Sequence, residues 1–241
     1  MSAFSIWLRS RMAAALCRRL FLAAPDEKPG DLQKQAFDRI FEGAVAGPGS
    51  TVEYDRDYPK HQFLHYLVEH RSVLLHGSNK PDIEVLEPAL QTDYSGRQIR
   101  AVFASGDGIW PLFFAVVDHA TYRGSLRNGC WVITDHKGRS ERFYFFSLNQ
   151  AMLKQGPWTD GTIYILPREG FAQTSRGIVR FDEWASETAV RPVAKLPVSP
   201  EDLPFLAQVT GHEETESMLV SWLLFKRRQK KASRADAPTR T

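Results

Sequence analysis

At 241 residues, 43% hydrophobic and 12% aromatic, the chain can bury a core of its own, most simply as one α+β domain with tails. Two cysteines, Cys17 and Cys130, are too few for a disulfide framework or a four-ligand zinc site, and they point to a reducing, cytoplasmic compartment. The net charge of +3 belongs to the ends: residues 1–24 carry +4, residues 226–241 carry +6, and residues 25–225 are left at −7. That balance speaks against a basic nucleic-acid groove within the domain and leaves the tails to contact a polyanion or a membrane surface.

In chain order, residues 1–24 are apolar and arginine-bearing without an acid, which fits a basic amphipathic helix. A mitochondrial transit peptide, a membrane-peripheral interfacial helix and an ordinary helix packed on the domain share that composition. The arginines interrupt it too often for a transmembrane span. Residues 25–225 read as a single domain. From Asp31, a plausible N-cap, Leu32, Phe37, Ile40 and Phe41 fall near one face of a helix that Pro48-Gly49-Ser50 ends. Thr51 to Pro59 reads as extended, and Lys60 to His70 as a second amphipathic helix with Phe63, Leu64, Leu67 and Val68 inward. His61 and His65 have the i, i+4 spacing of metal ligands, but Gln62 stands where zinc proteases carry Glu, so a solvated face is the plainer reading.

Val73-Leu74-Leu75 is an apolar run that stops on His76-Gly77-Ser78, a strand delivering polar groups to an edge. A polar loop with Gly96 leads to a second run, Ile99 to Ala104, which stops on Ser105-Gly106-Asp107-Gly108. Ile109 to His119 is almost wholly apolar and predicts a buried helix with Pro111 in its first turn. Strands follow at Cys130–Thr134, Arg142–Ser147 and Thr162–Leu166, the first two joined by a turn at His136-Lys137-Gly138. Thr188-Ala189-Val190 reads as a strand reaching Pro192, Ser199 caps a short helix, and Glu213 to Phe225 predicts a helix opened by acids. Residues 226–241 read as a disordered basic tail.

A strand ending in His76-Gly77-Ser78, followed roughly 25 residues later by a Phe103-Ala104 strand end and an apolar helix, resembles the NAD-binding half of ADP-ribosyltransferases, in particular the diphtheria-toxin and poly-ADP-ribose-polymerase branch. The resemblance covers about residues 73–198 and rests on short motifs. It implies two mostly antiparallel sheets around an NAD cleft with flanking helices, and NAD+ used as a substrate. His76 would hydrogen-bond the adenosine ribose as a donor, the Gly77 backbone would bind the nicotinamide carboxamide, and Ser78 matches the small hydroxyl residue that often follows. Where the family has Tyr-Phe-Ala this chain has Val102-Phe103-Ala104, so the aromatic cover either falls to Phe103, Trp110, Phe113 or Phe114 or is absent.

The family also implies a carboxylate opening a late strand, because departure of nicotinamide leaves an oxocarbenium-like ribose whose charge an acid stabilises. Asp182, Glu183 and Glu187 are the candidates; Glu187 is narrowly favoured for the apolar strand and proline after it, and Glu183 for the aromatic Trp184 beside it. Arg180 or Arg191 could reach a pyrophosphate. The expected reaction is transfer of ADP-ribose from NAD+ to an unknown protein or nucleic-acid acceptor, or to water. The alternative is a catalytically silent interaction module on the same scaffold, which the Val102 departure favours. An RNA 2′-phosphotransferase would need an arginine set near His76 that is not found, and the GxGxxG, GxxxxGK[ST] and GxSxG motifs do not occur.

Overall fold

The computed structural model describes residues 3–235 except 27, 46, 48, 49 and 56. In chain order the elements are α1 (Ala3–Leu20), β1 (Leu22–Ala23), α2 (Asp31–Val45), β2 (Ser50–Thr51), α3 (Lys60–His70), β3 (Val73–Ser78), β4 (Ala89–Thr92), β5 (Gln98–Ala104), α4 (Trp110–Val116), β6 (Arg127–Thr134), β7 (Ser140–Asn149), α5 (Gln150–Leu153), β8 (Gly161–Pro167), β9 (Ala172–Gln173), β10 (Val179–Phe181), β11 (Trp184–Ser186), β12 (Ala194–Val198), β13 (Thr210–His212) and α6 (Met218–Ala235). The class is α+β. The strands form three sheets where two were expected: β1-β7-β6-β10 with β13 parallel to β7, β4-β5-β11-β9, and β2-β12-β8-β3. All pairings but β13 with β7 and β2 with β12 are antiparallel.

The largest sheet is buried on both faces, which is why β7 reads as the unbroken run Phe143-Tyr144-Phe145-Phe146, all fully buried. On one face Phe145 meets Phe21 and Phe225, so the segments at the end of α1 and within α6 cover it together. On the other, Phe146 packs against Phe113 of α4 at 4.8 Å. Ala14, Cys17 and Phe21 join the same core as Phe225, so α1 is packed on the domain. No helix among the described residues is long and apolar enough to cross a membrane.

The second and third sheets meet at the strand end that carries His76. Leu75 and Ser105 exchange both backbone hydrogen bonds at 2.9 Å, and α4 then lies across β3 and β8. Its close approach requires two glycines: a Cβ on Gly77 would stand 2.0 Å from the Pro111 carbonyl oxygen, and one on Gly161 would stand 1.9 Å from that of Ala115. The Asp107 carboxylate caps α4 by accepting from the Ile109 and Trp110 N–H groups at 2.8 and 2.7 Å.

Several elements differ from expectation, each for a local reason. The apolar run after Ile109 is helical only to Val116, because Val117 turns extended and bridges Trp158. Thr188–Val190 is not a strand: Ser186 Oγ accepts from the Thr188 N–H, folding the chain out of the ladder, and only Val190 rejoins by a bridge to Leu86. Among the described residues between Thr51 and Pro59, only Thr51 belongs to a strand. Helix α6 begins at Met218 and not at Glu213, since Glu214 is engaged by Ser125 and Asn149 and Glu216 pairs with Arg228. It continues to Ala235, so the segment expected as a tail from 226 is helical that far, and residues 236–241 lie outside the described residues.

His212 anchors β13 between Ser147 Oγ and Ser125 Oγ, both at 2.8 Å. Burial, aided by the Arg127 guanidinium, pushes its pKa down to about 4. Unfolded, it titrates near ~6.5. Between those values the unfolded chain binds a proton that the folded chain refuses, so stability falls as pH drops through this window. Urea midpoints should therefore decline from pH 7 to pH 4.5, and His212→Gln should flatten part of that decline; an identical pH slope in the variant would contradict this account.

Candidate functional site

A cleft of about 750 Å³ opens where β3, β5, α4, β6 and the start of α6 converge. Its base is built from the two motif-bearing strand ends, His76-Gly77-Ser78 and Phe103-Ala104-Ser105. Backbone direction there follows from the Leu75–Ser105 bridge. Residues two apart in a strand send their N–H and C=O groups to the same edge. Gly77 therefore points these groups the way Leu75 does, away from β8, at a level where the neighbouring chain has already turned off into α4. A bare peptide edge at a glycine is thereby turned toward the cleft.

His76 Nδ1 lies 2.8 Å from the Phe103 carbonyl oxygen. A carbonyl only accepts, so Nδ1 carries the hydrogen, and burial pushes the imidazole pKa down, keeping the ring neutral. Nε2 is then an acceptor, the reverse of the donor role expected of this histidine.

Glu183 is only 8% exposed and lines the cleft. Its carboxylate accepts from the Tyr94 N–H at 3.2 Å and from Thr174 Oγ1 at 3.0 Å. Burial raises its pKa, and Asp93 nearby adds to the shift. Asp93 itself shapes the turn after β4, accepting from Ser95 N–H, Ser95 Oγ and Arg97 N–H at 2.9, 2.6 and 3.0 Å; the Ser95 hydroxyl holds its pKa down. This turn carries Tyr94, whose ring stacks on Phe181 at 5.8 Å. Trp110 and Trp131 stand edge-on to Phe181 at 5.0 and 5.7 Å, and Trp110 Nε1 donates to Asn128 Oδ1 at 2.7 Å. The walls are thus aromatic and their orientation is fixed.

Of the residues singled out from sequence, His76, Gly77, Ser78, Phe103, Ala104, Trp110, Phe114 and Glu183 line this one cleft. Phe113 does not: it is fully buried and faces the core at Phe146. Glu187 does not either, being exposed in the turn that follows β11. Alternation explains the choice between acids, since Phe181 and Glu183 turn to the cleft while Asp182 between them turns back to accept from Ser105 Oγ at 3.2 Å. Arg180 lines a separate pocket behind this strand, and Arg191 is exposed outside the cleft. Val102 also faces away, packed with Leu74, Tyr164 and Leu166. Tyr94, Asn128, Trp131, Phe181 and Trp222 were not anticipated; only the Asp-Tyr-Ser-Gly turn around Tyr94 leaves a local signal, and it marks a turn, not a site.

No lysine or arginine occurs among the described lining residues, whose ionisable groups are Asp93, Glu183, Tyr94, His76 and His119. A neutral or cationic moiety suits this interior. Behind the cleft, Asp107, Cys130 and Asp182 approach one another within 4.8 Å, all buried. Asp107 already caps α4, accepts from the Tyr144 hydroxyl at 2.7 Å and faces Arg142 Nε at 3.2 Å, while burial pushes the Cys130 thiol well up. This donor set is an internally compensated ion pair beside a protonated thiol, a poor fit to a cation. Compared with protein-family models, with curated proteins and with solved structures, the chain gives no match.

Proposed function

We propose that the cleft binds NAD+ and that the protein is an ADP-ribosyltransferase-like enzyme. The observation that carries this reading is the backbone edge of Gly77, turned away from β8, in one aromatic cleft with His76 and the buried Glu183. The Gly77 N–H and C=O suit the two ends of a carboxamide, and the nicotinamide ring has Tyr94, Trp110 and Phe181 for walls. His76 Nε2 accepts from a ribose hydroxyl. Cleavage of the C1′–N bond sends its electron pair to the nicotinamide nitrogen, releasing a neutral ring and leaving positive charge on C1′ and the ring oxygen. Ionised Glu183 stabilises that charge and accepts from the 2′-hydroxyl until an acceptor nucleophile, or water, forms the new bond to C1′ and gives up its proton to solvent. The absence of cations in the lining agrees with a site that stabilises a cation-like transition state.

A second reading, favoured by the Val102 departure, is a binding module that holds NAD+ or a similar cation-headed ligand without cleaving it. Titration of NAD+ against tryptophan fluorescence tests both, because Trp110, Trp131 and Trp222 line the cleft. Saturable quenching with nicotinamide release supports the enzyme, and quenching without release supports the module. His76→Ala should weaken binding by about tenfold, the worth of one hydrogen bond to a buried acceptor. No response at millimolar NAD+ removes both readings.

A further inference from the structure

Thirteen large hydrophobic side chains are exposed among the described residues, and seven of them sit on two helices. On α1, Leu8, Met12 and Leu16 recur every four residues, opposite the buried Ser10, Ala14 and Cys17. On α6, Met218, Leu219, Val220 and Leu223 are exposed while Ser221 and Phe225 are buried, and the outward stripe of Leu219 and Leu223 continues as Arg227 and Lys230.

The two helices pack on each other and lie on the same face of one sheet. Phe21, at the end of α1, stacks on Trp131 at 4.4 Å, and Trp222 of α6 meets that same Trp131 at 5.7 Å. Helices laid side by side on one sheet face turn their outer sides in one direction. The exposed stripes therefore form one surface. Its charge is equally one-sided: α1 and α6 hold ten basic residues and no acid, and the rest of the chain sums to −7. Arg18 pairs with Glu141 at the surface and Arg228 is tied inward to Glu216, while Arg11, Arg19, Arg227, Lys230 and Lys231 are exposed.

We propose that this α1–α6 surface docks on an anionic lipid bilayer, its leucines and methionines entering the acyl boundary and its arginines and lysines meeting the headgroups. Apolar side chains bordered by cations, with no carboxylate on either helix, complement that interface on both counts. Pairing with a second copy would set ten positive charges against ten, and a nucleic acid would leave the leucine stripe without a partner. The surface stands independently of the NAD+ reading. Met218 and Trp222 line the cleft as well, so docking sets the cleft mouth at the edge of the membrane.

Sedimentation of the full chain with vesicles tests the proposal. Phosphatidylcholine vesicles containing phosphatidylserine should bind it, pure phosphatidylcholine should not, and added salt should release it. Met12→Glu/Leu16→Glu/Leu223→Glu, all at exposed positions, should lower binding by about tenfold or more with an unchanged melting temperature. Arg11→Gln/Arg227→Gln/Lys230→Gln should lower it too, so that loss of the fold and loss of the surface are told apart. Failure to bind either vesicle, equal binding to both, or full binding by the Glu variant overturns the proposal. A concentration-dependent dimer that the Glu variant dissolves, without vesicle binding, also overturns it and gives the surface to a second copy.

Discussion

Glu183→Gln is expected to lower NAD+ cleavage by about 100-fold or more, the usual effect of losing one group aimed at developing charge, while Glu187→Gln leaves it unchanged. The substitution is nearly isosteric. Its amide oxygen can still accept from the Tyr94 N–H and Thr174 Oγ1, so the turn that carries Tyr94 is preserved and only the negative charge is lost. NAD+ affinity should accordingly hold while nicotinamide release collapses. Because burial raises the Glu183 pKa, wild-type turnover should rise with pH as this carboxyl ionises, and that limb should vanish in the variant. Single-turnover nicotinamide release across pH checks both statements. A variant as fast as wild type would take Glu183 out of the chemistry, and a slow Glu187→Gln would bring the exposed turn back into it.

The second large effect is structural. Gly77→Ala should cost about 3 kcal/mol of stability, at the upper end of what overpacking does, because its Cβ meets only backbone: the Pro111 carbonyl oxygen at 2.0 Å and the Ala115 nitrogen at 2.9 Å. No rotamer can relieve that contact; α4 must lift. Gly161→Ala pushes on the same helix from β8, through the Ala115 carbonyl oxygen at 1.9 Å. Once one alanine has displaced α4 the other costs less, so the double variant should fall short of the sum. Urea denaturation of the three variants measures this, and a loss below about 0.5 kcal/mol, the range of ordinary surface changes, would mean that α4 sits less tightly than its geometry states.

Local pattern was enough wherever one element decided its own form. Lys60–His70 is helical with those bounds, and the Asp135–Arg139 hairpin turn closes around Gly138 at φ +77. The motif end of β3 was legible because strand, glycine and hydroxyl residue are consecutive. What periodicity could not carry were decisions made by partners. Thr188–Val190 has strand composition, yet Ser186 and the bridge to Leu86 divert it, and this moved the preferred acid from Glu187 to Glu183. Phe113 and Phe114 are adjacent and equally apolar, and only the position of Phe146 sends one to the core and the other to the cleft. Likewise the aromatic walls come from β6, β10, the β4 turn and α6, whose convergence has no local trace.

The two cysteines are buried in places of unequal depth. Cys17 belongs to α1, and burial pushes its thiol up to about 11, whereas Cys130 lies fully buried in β6 and burial pushes its thiol well up. Thiolate is the reactive form, so neither sulfur is open to alkylation or oxidation while the chain is folded. Release of α1 alone would uncover Cys17, but Cys130 stays shielded until the β6–β7 ladder parts. The chain thus holds two internal clocks, and the difference between their labelling rates is the difference between lifting the N-terminal helix and losing the fold.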